Sequence, residues 1–260
     1  MDRSIRTTED VLALLDRLFP PESDRWTAHA ADWWDGFYAD RSRAVPFFAA
    51  KPDESLVGYL DQGLIRPGRA LDLGCGPGRN AVHLAAAGFE VDAVDLSPAA
   101  VAWGEERARR AGVGVRFHCG NAFDPGLLTG PYDLVHDSGC FHHLPPHRRL
   151  SHLALLERVL APGGHFTLTC FAEGAMGSEL ADDDFYRQAR LHGGLAYSAV
   201  SLRGIFSGLE LLEIRRMREL PPEDEAFGVP FLWTAVFRRP VAPGIPAAPG
   251  IPAAGTPEHR

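Results

Sequence analysis

ALDLGCGPGRN, residues 70–80, decides the fold. A short apolar run ends in glycines at 74, 76 and 78, and an apolar helical segment, 80–88, follows at once. A strand that breaks through glycines into a helix is the opening of a βαβ unit, and such a turn lets a ligand approach the backbone closely. The spacing is GxGxG behind an acidic residue, Asp72, where a dinucleotide loop would have GxGxxG. An acid at this position suits a cationic, amino-acid-like ligand better than a pyrophosphate.

Outward from this loop the pattern repeats. Strand-like segments at 90–96, 114–119, 132–137 and 165–171 alternate with helical ones at about 98–110 and 148–160. Ser97 and Pro98 open the first of these helices, and PGG at 162–164 stops the second. This rhythm predicts an α/β fold: a mostly parallel sheet with helices on both faces. After 171 the rhythm changes. A polar insert, 172–197, carries Asp182, Asp183 and Asp184 at a helix start, and a helix follows near 199–207. Two strand candidates, 209–220 and 230–239, have no helix between them, so an antiparallel edge hairpin is expected, with Arg215, Arg216 and Arg218 on a solvated face.

The second strand ends at Asp95, 17 residues beyond Gly78, where a carboxylate can accept from both hydroxyls of a ribose. The third leads to GNAFD (120–124), where Asn121 and Phe123 could flank an adenine. Each residue has a plainer alternative: Asp72 capping a turn, Asp95 starting a helix, Phe123 in the core. Their order at successive strand ends is what points to a cofactor.

On these residues the chain resembles the class I S-adenosylmethionine-dependent methyltransferases, over roughly residues 50–240. The resemblance implies a Rossmann-like seven-stranded sheet whose last strand is inserted antiparallel. It implies S-adenosylmethionine as cofactor and S-adenosylhomocysteine as product. Asp72, Gly74, Gly76 and Gly78 match the part that holds the methionine portion, Asp95 the ribose acid, and Asn121 the adenine turn. Their neighbours Cys75, Asn80, Leu96, Ala122, Phe123, Asp137 and Ser138 complete the expected cofactor set.

VHDSGCFHHL, residues 135–144, then falls at the end of the fourth strand, where cofactor and acceptor meet. Methyl transfer needs alignment, an unprotonated acceptor and exclusion of water, so Cys140 is read as a packing residue rather than a nucleophile. Adjacent histidines diverge, which disfavours a metal held by His136, His142 and His143, and none is expected. One of His142 and His143 is expected to face the acceptor as base or thiolate partner while the other packs outward; the alternative is that both only shape the pocket. YDLVHDSGCFHHLPPHRR also resembles, more narrowly, the thiopurine, thiol and tellurite methyltransferase branch. That makes a small thiol the first acceptor class, with O- or N-methylation as the rival.

Residues 1–48 hold an amphipathic helix entered through Thr7 or Thr8 and an aromatic segment around 26–39. They read as a lid over a core at 49–239, or alternatively as a dimer interface. Trp34, Tyr38, Arg43, Phe141 and Tyr197 are the expected acceptor contacts, and the insert 172–197 a further pocket wall. From 240 to 260 the repeated APGIPA predicts a disordered tail.

The 260 residues are 45% hydrophobic with a net charge of −8, ample for a core and poorly suited to a nucleic-acid surface. Four cysteines without a paired spacing, no long apolar run and no signal-peptide core predict a cytoplasmic protein, monomer or homodimer. Rivals are a nicotinamide-dependent oxidoreductase, disfavoured by the glycine spacing, a nucleic-acid methyltransferase, and a non-catalytic module that binds the cofactor.

Overall fold

A computed structural model describes residues 5–191 and 193–241. The expected tail lies outside the described residues, apart from its first two positions. Helix α1 (Thr8–Asp16) starts in a reciprocal cap: Thr7 accepts from the Asp10 N–H while the Asp10 carboxylate accepts from Thr7. Helices α2 (Ala31–Ala39) and α3 (Glu54–Asp61) precede the first strand. Then come β1 (Arg69–Leu73), α4 (Arg79–Ala86), β2 (Glu90–Asp95), α5 (Pro98–Ala111), β3 (Val115–Cys119), β4 (Tyr132–Ser138), α6 (Arg149–Val159) and β5 (Leu160–Phe171). Helices α7 (Asp182–Gln188) and α8 (Ala199–Ile205) lead to β6 (Glu210–Arg216) and β7 (Leu232–Arg238).

The strands form one seven-stranded sheet in the order β3-β2-β1-β4-β5-β7-β6. The first five are parallel, and β7 runs antiparallel between β5 and β6. This is a Rossmann-like arrangement. Side chains alternate across it: Leu71, Val135 and Phe237 enter one core with α6 and α8, while Ala70, Leu134 and Val236 enter the other with α3 and α4. The strand order reverses between β1 and β4, so the ends of β1, β2 and β4 converge on a crevice at the place where open α/β sheets hold ligands.

Two expectations are corrected here. PGG at 162–164 does not separate helix from strand: β5 begins at Leu160, shifts register, and rejoins β4 at His165. Gly164 permits this, since a Cβ there would sit 3.1 Å from the carbonyl oxygens of Tyr132 and Asp133. The arginines of β6, Arg215 and Arg216, are half-buried rather than a solvated face, while Arg218 beyond the strand is exposed as expected. Arg215 and Arg218 both bond the carboxylate of Glu54, which is only 2% exposed, and Arg216 lies over Trp233. A buried carboxylate on α3 requires such partners.

Candidate active site

The glycine loop after β1 is bare because nothing else fits. Gly74 (φ 66°) and Gly76 (φ 50°) are left-handed, a conformation strained for any residue with a side chain. A Cβ on Gly74 would meet Cys140 Cβ at 2.7 Å, and one on Gly76 would meet Tyr38 Oη at 2.9 Å. The turn is fixed from β2: Asp95 Oδ2 accepts from Gly76 N at 2.8 Å and Oδ1 from Ser97 N at 2.9 Å. Burial nevertheless outweighs these bonds and pushes the Asp95 carboxyl up to about 6. Asp72 is buried too, pushed by burial up to about 6, and its Oδ2 has no protein partner. An orphaned buried carboxylate oxygen is costly unless something else binds it.

Both carboxylates line a cavity of about 530 Å³, the size of a site for one drug-sized ligand and part of another. Gly74, Cys75, Gly76, Asn80 and Leu96 share that wall, with Ser138 at the end of β4. Arg79 also lines it. Its guanidinium donates to Lys51 O and Ser138 Oγ and pairs with Asp53 at 2.6 Å, so it is rigidly held. Asn80 is committed to the same network, accepting from Asp53 N at 2.9 Å. A smaller cavity of about 50 Å³ adjoins, lined by Asn121, Ala122 and Phe123 together with Asp95 and Leu96. Asn121 Oδ1 accepts from Phe123 N at 3.0 Å, which closes that turn.

Much of the remaining lining of the large cavity is aromatic. Trp33, Trp34, Phe37 and Tyr38 come from α2, Phe47 from the turn after it, and Phe171 from the end of β5. His142 and His143 sit on a 3₁₀ turn, Phe141–His143, and both line the cavity; neither packs outward. His142 stacks on Phe171 with centroids 3.7 Å apart, and its Nδ1 accepts from Phe171 N at 3.3 Å. Burial drives its pKa well below the usual value, with His143 adding to the effect. Burial, then the charge of Arg25, lowers His143 to about 4. Both imidazoles are therefore neutral at pH 7, hydrogen-bonding groups rather than proton stores.

Several expected contacts lie elsewhere. Asp137 does not line either cavity: Oδ1 accepts from Cys140 N and Phe141 N, and Oδ2 faces His152 Nε2 at 3.0 Å, so it anchors the histidine turn from behind. Phe141 points into the core against His152, Tyr197 and Phe206. Tyr197 is buried beside it, its hydroxyl accepting from Arg149 Nε at 3.1 Å. Arg43 is exposed and lies over Phe37. Gly78 packs against Phe117 and Gly104, where its lack of a side chain lets α4 approach α5. Cys140 lines both cavities, its thiol raised well above the usual range by burial. Among the described residues no group of three or more His, Cys, Asp or Glu side chains is placed to hold a metal ion.

Arg25, Arg79 and Phe171 are cavity residues that the sequence reading did not single out. Arg79 had a signal, standing directly behind the last glycine of the loop. Arg25 and Phe171 had none, because folding alone brings them to the site.

Residues 70–164 match a family model described as a methyltransferase domain. An uncharacterised methyltransferase of Schizosaccharomyces pombe is 30% identical over 103 residues, 40% of this chain and 71% of that protein. The chain belongs to the methyltransferase family. Among solved structures, this chain superposes with TM-score 0.64 and 27% identity on a structure from work on the conversion of a disulfide bond into a thioacetal group during echinomycin biosynthesis. That match covers 81% of this chain and 91% of the other. The 1,6-didemethyltoxoflavin-N1-methyltransferase of Burkholderia thailandensis, solved with 1,6-didemethyltoxoflavin and S-adenosylhomocysteine, shares the fold. Its TM-score is 0.55 at 21% identity, covering 92% of this chain and 93% of that one. The chain spans between about a quarter and six-tenths of the length of the first curated relatives it matches. Among the described residues no helix is long and apolar enough to cross a membrane.

Proposed function

We propose that this protein is an S-adenosylmethionine-dependent methyltransferase acting on a small molecule, with a thiol as acceptor. The observation that carries the reading is one cavity lined by two buried carboxylates, a bare glycine loop, aromatic rings and two neutral histidines.

The residues present fit the cofactor. The unpartnered Oδ2 of Asp72 suits an ammonium, and Arg79, already paired with Asp53, holds the wall beside it in place. Asp95 retains acceptor capacity for ribose hydroxyls, and the small cavity by Asn121–Phe123 suits an adenine ring. When bound, the cofactor supplies a methyl group on a sulfonium sulfur. The chain's own part is to align the acceptor and exclude water, for which the aromatic wall from α2 is suited. Neutral His143 can accept a hydrogen bond from the acceptor, whereas His142, whose Nδ1 already accepts from Phe171 N, can only donate through Nε2; neither stores the acceptor's proton at pH 7.

A thiol needs least help from such a site, being already a few per cent thiolate near neutrality. An amine arrives protonated, and the aromatic end offers no carboxylate to receive it. The relative from echinomycin biosynthesis, whose reaction is at sulfur, supports the same reading. The toxoflavin enzyme, which methylates nitrogen, keeps N-methylation as the second reading. The test is methyl transfer from labelled S-adenosylmethionine to matched small thiols, phenols and amines, with and without a chelator. Transfer to thiols regardless of chelator supports the proposal, and transfer to oxygen or nitrogen alone overturns the acceptor. Failure to bind S-adenosylhomocysteine overturns the methyltransferase reading itself.

A further inference from the structure

We propose that Arg25 binds the acceptor in its anionic form, a thiolate or similarly acidic phenolate, where the two cavities meet. The proposal rests on the methyltransferase reading and adds to it the charge state of the acceptor and the residue that selects it.

Arg25 lies in the segment ahead of α2, half-buried, and lines both the large and the small cavity. Its guanidinium stacks over Trp33, 3.6 Å from the ring centroid. Nη1 donates to the carbonyls of Glu22 at 2.8 Å and Asp24 at 2.6 Å, and the Arg25 carbonyl accepts from the Trp34 indole at 3.1 Å. The turn beneath is fixed by Asp24, whose Oδ1 accepts from Trp26 N and Thr27 N. The result is a planar cation held in one orientation by neutral carbonyls and an aromatic face. Among the described residues no carboxylate lies within ion-pair distance of it, although Asp24 is near enough to act on its charge; Arg79, by contrast, is paired directly with Asp53.

The groups that face Arg25 are few. Asp24 belongs to its own turn, Asp95 ends β2, Cys140 follows β4, and His143 sits on the 3₁₀ turn. Cys140 and His143 are neutral at pH 7. Asp95 already bonds Gly76 and Ser97 and is the residue fitted to the ribose. A guanidinium so placed lowers the pKa of an acid beside it, raising the acid dissociation constant about 10- to 1000-fold. The acceptor's proton leaves to bulk water and Arg25 keeps its own. This supplies what the histidines do not, an unprotonated acceptor at neutral pH.

Thiophenol and 4-nitrophenol, whose anions absorb differently from the neutral forms, are titrated with pH on the full chain, with and without saturating S-adenosylhomocysteine. On the wild-type protein the bound probes are expected to ionise with a dissociation constant at least about tenfold larger than in water. Arg25→Gln should abolish that gain, and Arg25→Lys should keep most of it. Binding of S-adenosylhomocysteine by both variants is followed by calorimetry, because Arg25 also borders the small cavity fitted to the adenine. The proposal is overturned if the wild-type protein favours neither anion, or if Arg25→Gln leaves the probes' ionisation unchanged. It is equally overturned if that variant weakens S-adenosylhomocysteine binding alone, which would make Arg25 a cofactor residue. A wild-type protein that binds no S-adenosylhomocysteine removes the methyltransferase reading, while the probe titration without it still judges Arg25.

Discussion

Replacing Asp72 by asparagine should make the cofactor-free protein more stable and the cofactor weaker, two effects of one buried charge. The Asp72 carboxyl rises from the ordinary 3.8 to about 6 because burial penalises its ionised form. Between those values the folded protein holds a proton that the unfolded chain has released. Stability therefore falls as pH climbs from about 4 to 6 and stays lower above, by about 3 kcal/mol. Asparagine removes that loss but brings an amide with imperfect partners, which costs about 1 kcal/mol. The net gain at pH 7.5 is about 2 kcal/mol, or roughly 4–8 °C in melting temperature for a chain of this size. An ammonium left without its carboxylate should weaken S-adenosylhomocysteine by about 100-fold, some 3 kcal/mol. Thermal melts from pH 4 to 8, with and without S-adenosylhomocysteine, and calorimetry at pH 7.5 measure both. A variant that melts below wild type at pH 7.5 and binds S-adenosylhomocysteine equally well would refute the reasoning.

Gly74→Ala should lower the melting temperature by on the order of 10 °C, since it combines a left-handed backbone with an overlap onto Cys140 Cβ at 2.7 Å. A native-like melt would show that the loop has room. Asp16 is buried enough to resist ionisation, but hydrogen bonds from His147, Arg148 and Trp26 more than offset this and hold its carboxyl at about 2. Its contribution is thus complete above the ordinary 3.8 and lost as pH falls toward 2. Asp16→Asn should cost about 1–2 kcal/mol at pH 7, after allowance for partial exposure, and almost nothing near pH 2. Urea midpoints at the two pH values check it, and an equal loss at both would contradict the assignment.

The sheet was readable because each βαβ unit is written locally. Loop glycines, cap residues and apolar strands stand next to one another in the chain, and Ser97, Pro98 and Gly112 bound α5 as their chemistry requires. The cofactor wall was readable for the same reason, its residues standing at successive strand ends. The turn after β4 was harder. His136 and Asp137 are both buried, on opposite faces of a covered strand, so alternation says nothing about which neighbour either one meets. Asp137 turned to His152, fifteen residues on, and carried Phe141 into the core with the turn it anchors. Arg215 was misjudged because Glu54 lies more than 160 positions away in sequence. Pairings of that separation leave no trace in a local pattern.

The contact between Gly74 and Cys140 has a bearing on how such a protein could change its substrate. It joins the loop after β1 to the turn after β4 with less than a methyl group to spare. A mutation that shifts the histidine turn to admit a new acceptor therefore presses on the loop beneath, and tolerance there is narrow. The outer part of the aromatic wall is freer, because Trp33 and Phe47 stand at the surface, while Tyr38 behind them is held against Gly76. Variation among descendants of this chain should accumulate at surface positions such as 33 and 47, leaving positions 74 and 140 to change only together.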